Sequence, residues 1–256
     1  FMTLNTLLSG RLFKIPEYQR AYSWGTKQRE DLFSDIRKLR GTDKGHFMAT
    51  VVGLRRKTVR IAADAFTELE VVDGQQRLTT ITLLLRALQK RLETGGAGEK
   101  KLAVELQDLL VKGDDLNLLL LQTNHDSRHI FVDYVREGRA PELSAAQTSA
   151  DQNIVDAVAQ CEVFVETWAK GGDVVELLAI LRNQLSVIFH EIADESLVYT
   201  VFEVLNSRGL DVTWFDKVKA KLMATIFEHG ADGGKRTTIE ELHRIWKDIY
   251  RVIGTR

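Results

Sequence analysis

The sequence contains a single cysteine and only two prolines among its 256 residues. One cysteine permits no disulfide bond within the chain, which favours a reducing compartment, and we expect a cytoplasmic protein. Because proline interrupts helices, its scarcity favours a mainly helical chain. The sequence also has no stretch of about 18 uninterrupted apolar residues, so we expect neither a membrane span nor a membrane partner.

An excess of either charge is also missing. Thirty-five Lys and Arg residues against 36 Asp and Glu residues leave a formal net charge of −1. No global basic field therefore indicates a nucleic-acid partner, and any nucleic-acid surface must be local. Apolar residues make up 44% of the chain and charged residues 28%, which is typical of a globular protein with a sizeable core.

Several common catalytic signatures are absent. The sequence has no Gly-x-x-x-x-Gly-Lys-Ser/Thr loop, no Gly-x-Gly-x-x-Gly and no Gly-x-Ser-x-Gly. Cys161 falls on the apolar stripe of a predicted helix, and we interpret it as a buried small hydrophobic residue. His125 and His129 could share a zinc ion, but no third ligand lies nearby, so exposed helix-face histidines are the preferred interpretation.

Strand-like segments dominate the first third of the chain. The basic residues Arg55, Arg56 and Lys57 are predicted to link two of them. A first helix is predicted at residues 26–40. The predicted strands are apolar runs rich in β-branched and aromatic residues, at residues 12–15, 46–54, 59–63 and 66–72.

A helix follows the Asp73 turn, and from residue 99 onward the pattern is helical almost throughout. A stripe of leucine and isoleucine at spacings of three and four predicts a helix that ends near a Gly-rich linker at residues 94–98. Clustered β-branched residues at 185–189 predict a returning strand. The remaining helices are predicted near residues 102–109, 126–137, 145–170, 174–183, 195–205, 213–228 and 239–253.

Three polar clusters each lie beside a predicted helix start, at residues 16–24, 73–77 and 206–211. Each cluster contains one arginine, namely Arg20, Arg77 and Arg208. Each also contains an amide side chain: Gln19, Gln75 or Gln76, and Asn206. Amide and guanidinium groups are costly to bury unpaired, and together they would suit a phosphate or a nucleobase edge. Three unrelated solvated turns are the alternative.

The middle cluster has the clearest local geometry. A strand that ends at Gly74 and opens a helix directs backbone N–H groups toward an anion at the helix N-terminus. Asp73 could cap that helix or hold a metal ion, and Arg77 could bind an oxyanion through two hydrogen bonds. An ordinary capped strand-to-helix turn is equally compatible with these residues.

Three ordered motifs resemble the N-terminal domain of the GmrSD-type restriction proteins, a large family also represented by SspE. The resemblance spans about residues 3–228, and Met48 and Ala49 stand where the family usually has Leu and Gly. The motifs are Ile15-Pro16-x-Tyr18-Gln19-Arg20-x-Tyr22-x-Trp24, then Asp73-Gly74-Gln75-Gln76-Arg77-Leu78-Thr79-Thr80, then Phe202-x-x-Leu205-Asn206-Ser207-Arg208-Gly209.

The resemblance implies an α+β fold, with a small mixed β-sheet similar to the ParB/sulfiredoxin fold and a large, mainly helical remainder. We expect four segments. Residues 1–94 would form the sheet region with the Asp73 turn, residues 99–184 a helical region, and residues 185–228 a return strand and a helix closing the site. Residues 235–256 would form a C-terminal helix that leads to a further region.

The resemblance also implies a Mg²⁺-dependent nucleoside triphosphatase that prefers GTP or another NTP. Its family acts in restriction or antiphage systems on DNA, including modified DNA. Many members carry a C-terminal His-Asn-His nuclease domain, and no such motif occurs before Arg256. A nuclease domain or subunit is therefore an expected partner, and assembly into a homo-oligomer stays open.

The resemblance suggests roles for the motif residues. Asp73 would hold Mg²⁺ or orient water, and Gln75 and Gln76 would position water and phosphate oxygens. Arg77 would stabilise charge on the transferring phosphoryl group. The phosphate-binding residues would be Gln19, Arg20, Gly74, Asn206, Arg208, Gly209 and Lys219.

A second hypothesis is a binding module that does not hydrolyse nucleotide. Tyr18, Tyr22 and Trp24, together with Pro16, would then form an aromatic wall for a modified base or sugar. The basic link, including Arg55 and Arg56, would hold backbone phosphates. Core packing of the aromatic rings and a solvated hairpin tip are the structural alternatives. A third hypothesis is an assembly domain whose polar turns only cap helices.

Overall fold

The computed structural model describes residues 1–16, 19–112, 118–122 and 128–194, together with scattered positions after residue 197. The strands with continuous bounds are β1 (Met2–Thr3), β2 (Arg11–Ile15), β3 (His46–Ile61), β4 (Asp64–Asp73), β5 (Leu120–Gln122) and β6 (Leu185–Ile192). The helices are α1 (Leu4–Leu8), α2 (Thr26–Lys38), α3 (Gln75–Glu93), α4 (Ala97–Leu110), α5 (Arg128–Glu137), α6 (Ser149–Gly171) and α7 (Val174–Ala179). A π-helical turn at Ile180–Gln184 joins α7 to β6.

The strands form one six-stranded mixed sheet in the order β1-β6-β3-β4-β2-β5. The central pair, β3 and β4, is antiparallel, whereas β3 is parallel to β6 and β2 is parallel to both β4 and β5. A mixed sheet with a mainly helical remainder confirms the predicted α+β class. The likeness to the ParB/sulfiredoxin fold stays a prediction.

The predicted link between the second and third strand-like segments is wrong. β3 continues through Arg55, Arg56 and Lys57, and a register shift against β4 between Arg55 and Thr58 accommodates these residues. The hairpin turn lies further on, where Ala62 has a φ of 51°. The basic side chains resemble a turn in sequence, but acidic side chains on the neighbouring strands pair with them and support extended backbone.

Helix α3 is a central helix rather than a helix with one buried stripe. It contacts α4, α5 and α6, and nearly every residue from Gln75 to Gln89 is buried. Leu83 and Leu84, which lie off the predicted stripe, are fully buried. The exposed exception within that stretch is Arg77, so its guanidinium group can meet solvent while the helix beneath it is fixed on all sides.

One large hydrophobic core joins the sheet to the helices. It includes Val51 of β3, Leu88 of α3, Leu106 of α4 and Val187 of β6. The predicted linker at residues 94–98 is shorter than expected, because α4 already begins at Ala97. Side chains from the segments predicted as 1–94, 99–184 and 185–228 therefore share this core, and the division into segments stays a prediction.

A second, smaller cluster lies on the other face of the sheet. Val52 belongs to it, whereas its neighbour Val51 belongs to the main core, as expected for adjacent residues of a strand. Leu54, Val72 and Ile192 complete its strand residues, and Val198 from the predicted helix at 195–205 packs with them. Val198 is helical, as predicted.

The residues considered for nucleophilic chemistry or for metal binding were Cys161, His125 and His129. Cys161 is fully buried, and burial raises the pKa of its thiol, as expected for a core residue. His129 is exposed on α5, and His125 lies outside the described residues. Within the described residues, no group of three His, Cys, Asp or Glu could hold a metal ion. Among the described helices, none combines the length and apolar character needed to cross a bilayer.

Candidate functional site

The strand-to-helix turn at Gly74 is held tightly against β3. Gly74 has a φ of 93°, a left-handed conformation that favours glycine. A Cβ atom at this position would lie 3.1 Å from both the Thr50 carbonyl oxygen and Val51 Cγ2. The backbone angle therefore favours glycine and the contact leaves little room for a side chain, so this turn holds the start of α3 close to β3.

Residues 19–24, which we name the motif segment, lie across this turn. Gln19 is buried, and its Nε2 donates to the Val72 carbonyl oxygen at 2.9 Å. Gln75 Nε2 donates in turn to Gln19 Oε1 at 3.2 Å. The first and second sequence motifs, which are separated by some fifty residues, are thus joined by direct hydrogen bonds, as a shared site requires.

Gln76 binds the backbone of the motif segment with both ends of its amide. Its Oε1 accepts hydrogen bonds from the N–H groups of Ser23 at 2.9 Å and Trp24 at 3.3 Å. Its Nε2 donates to the Ala21 carbonyl oxygen at 3.3 Å. The side chain is buried, and these contacts show that it positions the motif segment.

Asp73 stands at the end of β4 beside two arginines. Burial raises the pKa of its carboxyl group, while a hydrogen bond from the Gly74 N–H and the positive charges of Arg77 and Arg20 act in the opposite direction. Arg77 is exposed, and its guanidinium carbon lies 5.5 Å from the centre of the Trp24 ring. The turn therefore gathers one half-buried carboxylate and two guanidinium groups.

A buried arginine that the motifs do not contain also reaches the segment. Arg29 of α2 is only 1% exposed, and its Nη1 donates to the Trp24 carbonyl oxygen. Its Nε donates to Gln160 Oε1 at 2.7 Å, and Nη1 also approaches the Asn153 carbonyl oxygen at 3.3 Å. The sequence carries a signal for it, since Arg29 sits three and four residues before Leu32 and Phe33, on the apolar face of α2.

The aromatic residues of the first motif are largely packed inside the protein. Tyr22 is 3% exposed, and its hydroxyl lies 2.8 Å from Thr80 Oγ1. Burial raises the pKa of Tyr22 to about 12, so its hydroxyl stays protonated near neutral pH. Pro16 is buried as well, and Trp24 is half-buried. The ring of Tyr22 therefore offers no face to a base, whereas Trp24 is partly exposed.

The basic residues of β3 are paired with acids. Arg55 Nε lies 3.1 Å from Glu191 Oε1, and Arg56 Nη2 lies 2.7 Å from Glu70 Oε2. Lys57 makes a longer contact with Glu68, at 3.9 Å. Because carboxylates interleave with these cations, the predicted phosphate-binding patch has little net positive charge of its own.

Five predicted site residues cannot be placed in this geometry. They lie outside the described residues, so their predicted roles stay predictions: Tyr18, Asn206, Arg208, Gly209 and Lys219. Among the described residues, the structure brings the first two motifs together through the hydrogen bonds of Gln19 and Gln76.

These features define an α+β domain built around a charged strand-to-helix turn. The chain belongs to the family described as the N-terminal domain of GmrSD restriction endonucleases, whose sequence model matches residues 4–223. That range contains all three motifs, so the family resemblance seen in the sequence is confirmed. The chain accordingly carries a domain of a restriction-type defence protein. A search of curated proteins found no match to it.

Proposed function

We propose that this chain is the nucleoside triphosphate-binding and -hydrolysing domain of a restriction or antiphage defence protein that acts on DNA, including modified DNA. The observation that supports it most is the charged turn, where the Asp73 carboxyl group lies within electrostatic reach of Arg77 and Arg20. Phosphoryl transfer needs little besides positioning and charge stabilisation, and this turn supplies groups of both signs on a fixed frame.

The donor set fits a magnesium nucleotide. Burial disfavours the charged form of the Asp73 carboxyl group, and a bound cation would relieve that penalty, so Asp73 would hold Mg²⁺. The ion would polarise phosphate oxygens. Arg77 and Arg20 would bind the phosphate oxygens and stabilise the charge that develops on them.

The two glutamines of the turn would act differently from the sequence-based expectation. Gln76 binds the motif segment and Gln75 binds Gln19, so we assign both of them to positioning rather than to contact with water or phosphate. The arginines are then the groups that meet the nucleotide. The third motif, with Asn206 and Arg208, would complete the pocket.

DNA and a nuclease are the proposed partners on the strength of the family. The acids that pair with Arg55 and Arg56 make these arginines weak candidates for the DNA contact. We therefore propose that the domain senses or licenses action on DNA through nucleotide turnover, with cleavage carried by a nuclease domain or subunit.

The deciding measurement is phosphate release with a panel of nucleoside triphosphates and Mg²⁺. We expect Asp73→Ala to abolish release and Arg77→Ala to lower it about 100- to 1,000-fold, the range found when one charge-stabilising donor is removed. Arg37→Ala is the matched control, because Arg37 is a surface arginine over an aromatic ring, that of Phe164, outside the turn. It should release phosphate at the wild-type rate.

Three outcomes separate the hypotheses. Phosphate release by Asp73→Ala at the wild-type rate would sink the assignment of the site. A nucleotide-dependent rise in melting temperature without phosphate release would support the non-hydrolytic binding module. A ligand at one hundred times its dissociation constant adds about 2.7 kcal/mol of stability, so the lack of any shift across the panel would favour an assembly domain.

A further inference from the structure

The motif segment has no regular secondary structure, yet side chains from three helices hold its backbone. Asn153 Nδ2 of α6 donates to the Tyr22 carbonyl oxygen at 3.4 Å, and Arg29 of α2 donates to the Trp24 carbonyl oxygen. Gln76 of α3 binds the same stretch from the other side. Such a stretch depends on these bonds for its shape, because no helix or strand pairing supplies them.

Arg29 is an unusual choice for a merely structural contact. Within the described part of the chain, its acceptors are neutral oxygens, namely those of Gln160, Trp24, Asn153 and the Tyr22 hydroxyl. Burying a cation against neutral groups is unfavourable compared with burying an apolar side chain of similar volume. Stability alone would favour a residue such as Met at this position, so the guanidinium group needs another explanation.

The planar guanidinium group offers what an apolar side chain cannot. It donates in several fixed directions at once, so it can bind α6 through Gln160 while it holds the Trp24 carbonyl oxygen. Trp24 in turn lies under Arg77. A shift of the segment would therefore move both the Arg77–Trp24 contact and Arg20, which belongs to the same segment.

We propose that Arg29 is a positioning residue of the nucleotide site, with Asn153 as a second anchor from α6. Together they hold residues 22–24 so that Arg20 and Arg77 face the phosphate groups. The role in turnover rests on the proposed function, whereas the anchoring of the segment does not. A displacement of about 1 Å can lower a rate about 100-fold, so a residue that touches no substrate can still control turnover.

The chain offers a matched control in a second buried arginine. Arg86 is 5% exposed on α3, and it donates to Gln89 Oε1 at 2.9 Å and to the Arg136 carbonyl oxygen at 3.0 Å. It lies ten residues beyond Gln76 along the helix, which is about 15 Å. Arg86→Met therefore removes a similar buried group, held by similar acceptors, away from the turn.

The experiment compares Arg29→Met, Arg29→Lys and Arg86→Met in the full chain. Hydrogen exchange of the Ser23 and Trp24 amides reports the anchoring, and steady-state phosphate release reports its effect. For Arg29→Met we expect these amides to exchange more than 10-fold faster, and kcat to fall about 10- to 100-fold with KM changed less than about 3-fold. Arg86→Met should keep both quantities within about 2-fold of wild type.

The outcomes decide the anchoring and the function separately. Equal exchange of the two amides in Arg29→Met and Arg86→Met would overturn the anchoring, and unchanged kcat despite faster exchange would overturn the positioning role. If Arg29→Met does not fold, Arg29→Lys takes its place, because it keeps the charge and loses the planar fork. A wild-type chain that releases no phosphate would refute the proposed function, while the exchange comparison would still decide the anchoring.

Discussion

The hydroxyl groups of Tyr22 and Thr80 lie 2.8 Å apart in the core and join the motif segment to the first turns of α3. Thr80 Oγ1 also donates to the Gln76 carbonyl oxygen at 2.9 Å. Because the Thr80 proton is used in that bond, Tyr22 acts as the donor to Thr80. The tyrosine of the first motif is thus a link in a buried chain of hydrogen bonds that ends at the second motif.

Tyr22→Phe tests this link. We expect the substitution to lower the free energy of unfolding by about 1 to 2 kcal/mol, since the buried bond to Thr80 and the hydrogen bond from Arg29 are lost while Thr80 keeps its own acceptor. Urea denaturation of Tyr22→Phe, Thr80→Val and the double variant measures the coupling. If Tyr22→Phe costs as much in the Thr80→Val background as in the wild type, the stabilisation does not come from this bond.

Gly74→Ala tests the fixed turn, with Gly10→Ala as the matched control. Both glycines have positive φ angles, 93° for Gly74 and 66° for Gly10, but a Cβ atom at Gly10 would meet nothing within 4 Å. We expect Gly10→Ala to cost about 1 to 2 kcal/mol for the left-handed backbone. Gly74→Ala should cost at least about 1 kcal/mol more, because its methyl group meets β3. Equal losses in chemical denaturation would contradict the close approach to Thr50 and Val51.

The pH dependence of stability follows from Asp73. Its pKa is higher in the folded protein than in the unfolded chain, so between the two values the folded state binds more protons. The contribution of Asp73 to stability therefore falls as the pH rises from about 4, and it stays at its lower level above the folded pKa. At neutral pH the ionised carboxylate of Asp73 therefore lowers the free energy of unfolding relative to its protonated form.

Asp73→Asn should accordingly stabilise the protein at pH 7, because the amide keeps an acceptor for the Gly74 N–H without a buried charge. A tenfold difference in ionisation constant corresponds to about 1.4 kcal/mol. Denaturation curves at pH 3 and pH 7 check the sign, and the two proteins should converge at the lower pH. A variant less stable than the wild type at pH 7 would mean that the attraction of Arg20 and Arg77 outweighs burial.

The acids beside the basic residues of β3 lead to a prediction for DNA binding. Because Glu70 neutralises Arg56, the double variant Arg56→Ala/Glu70→Ala, which removes both charges together, should change affinity for DNA less than about 3-fold. Glu70→Gln should instead raise affinity. It should also make the fall of log affinity with log salt concentration steeper, by up to about 1 in the magnitude of the slope. Binding isotherms at several salt concentrations measure both effects. A large loss of DNA affinity in the double variant would show that β3 contacts DNA.

Local patterns in the sequence predicted much of the fold. The leucine spacing placed α3, and β-branched residues placed β6, because periodicity reports which side of an element is buried. The same reasoning failed at residues 55–57, because three consecutive basic residues were predicted to form a link between strands and instead lie within β3. Cross-strand partners such as Glu70 come from elsewhere in the sequence, so no local pattern could show that these cations are supported within a strand.

The site was predicted in part for the same reason. The motifs identified Asp73, Arg77 and Gln76 as belonging together, but not that Gln76 binds the backbone of the motif segment. That role depends on contacts between residues far apart in the chain. Arg29 was detectable in principle, since a cation on the apolar face of an amphipathic helix is buried when the helix packs, yet its partner Trp24 emerges only from the fold.

Helix α6 determines how far this protein can be shortened. Asn153 and Gln160 lie late in the chain, yet they complete the surroundings of Tyr22, Trp24 and Arg29 near its beginning. A piece ending at residue 94 would carry the first two motifs and still lack their support. The helical half is thus part of the support of the charged turn, and a molecule that displaced α6 would disturb that turn without touching it.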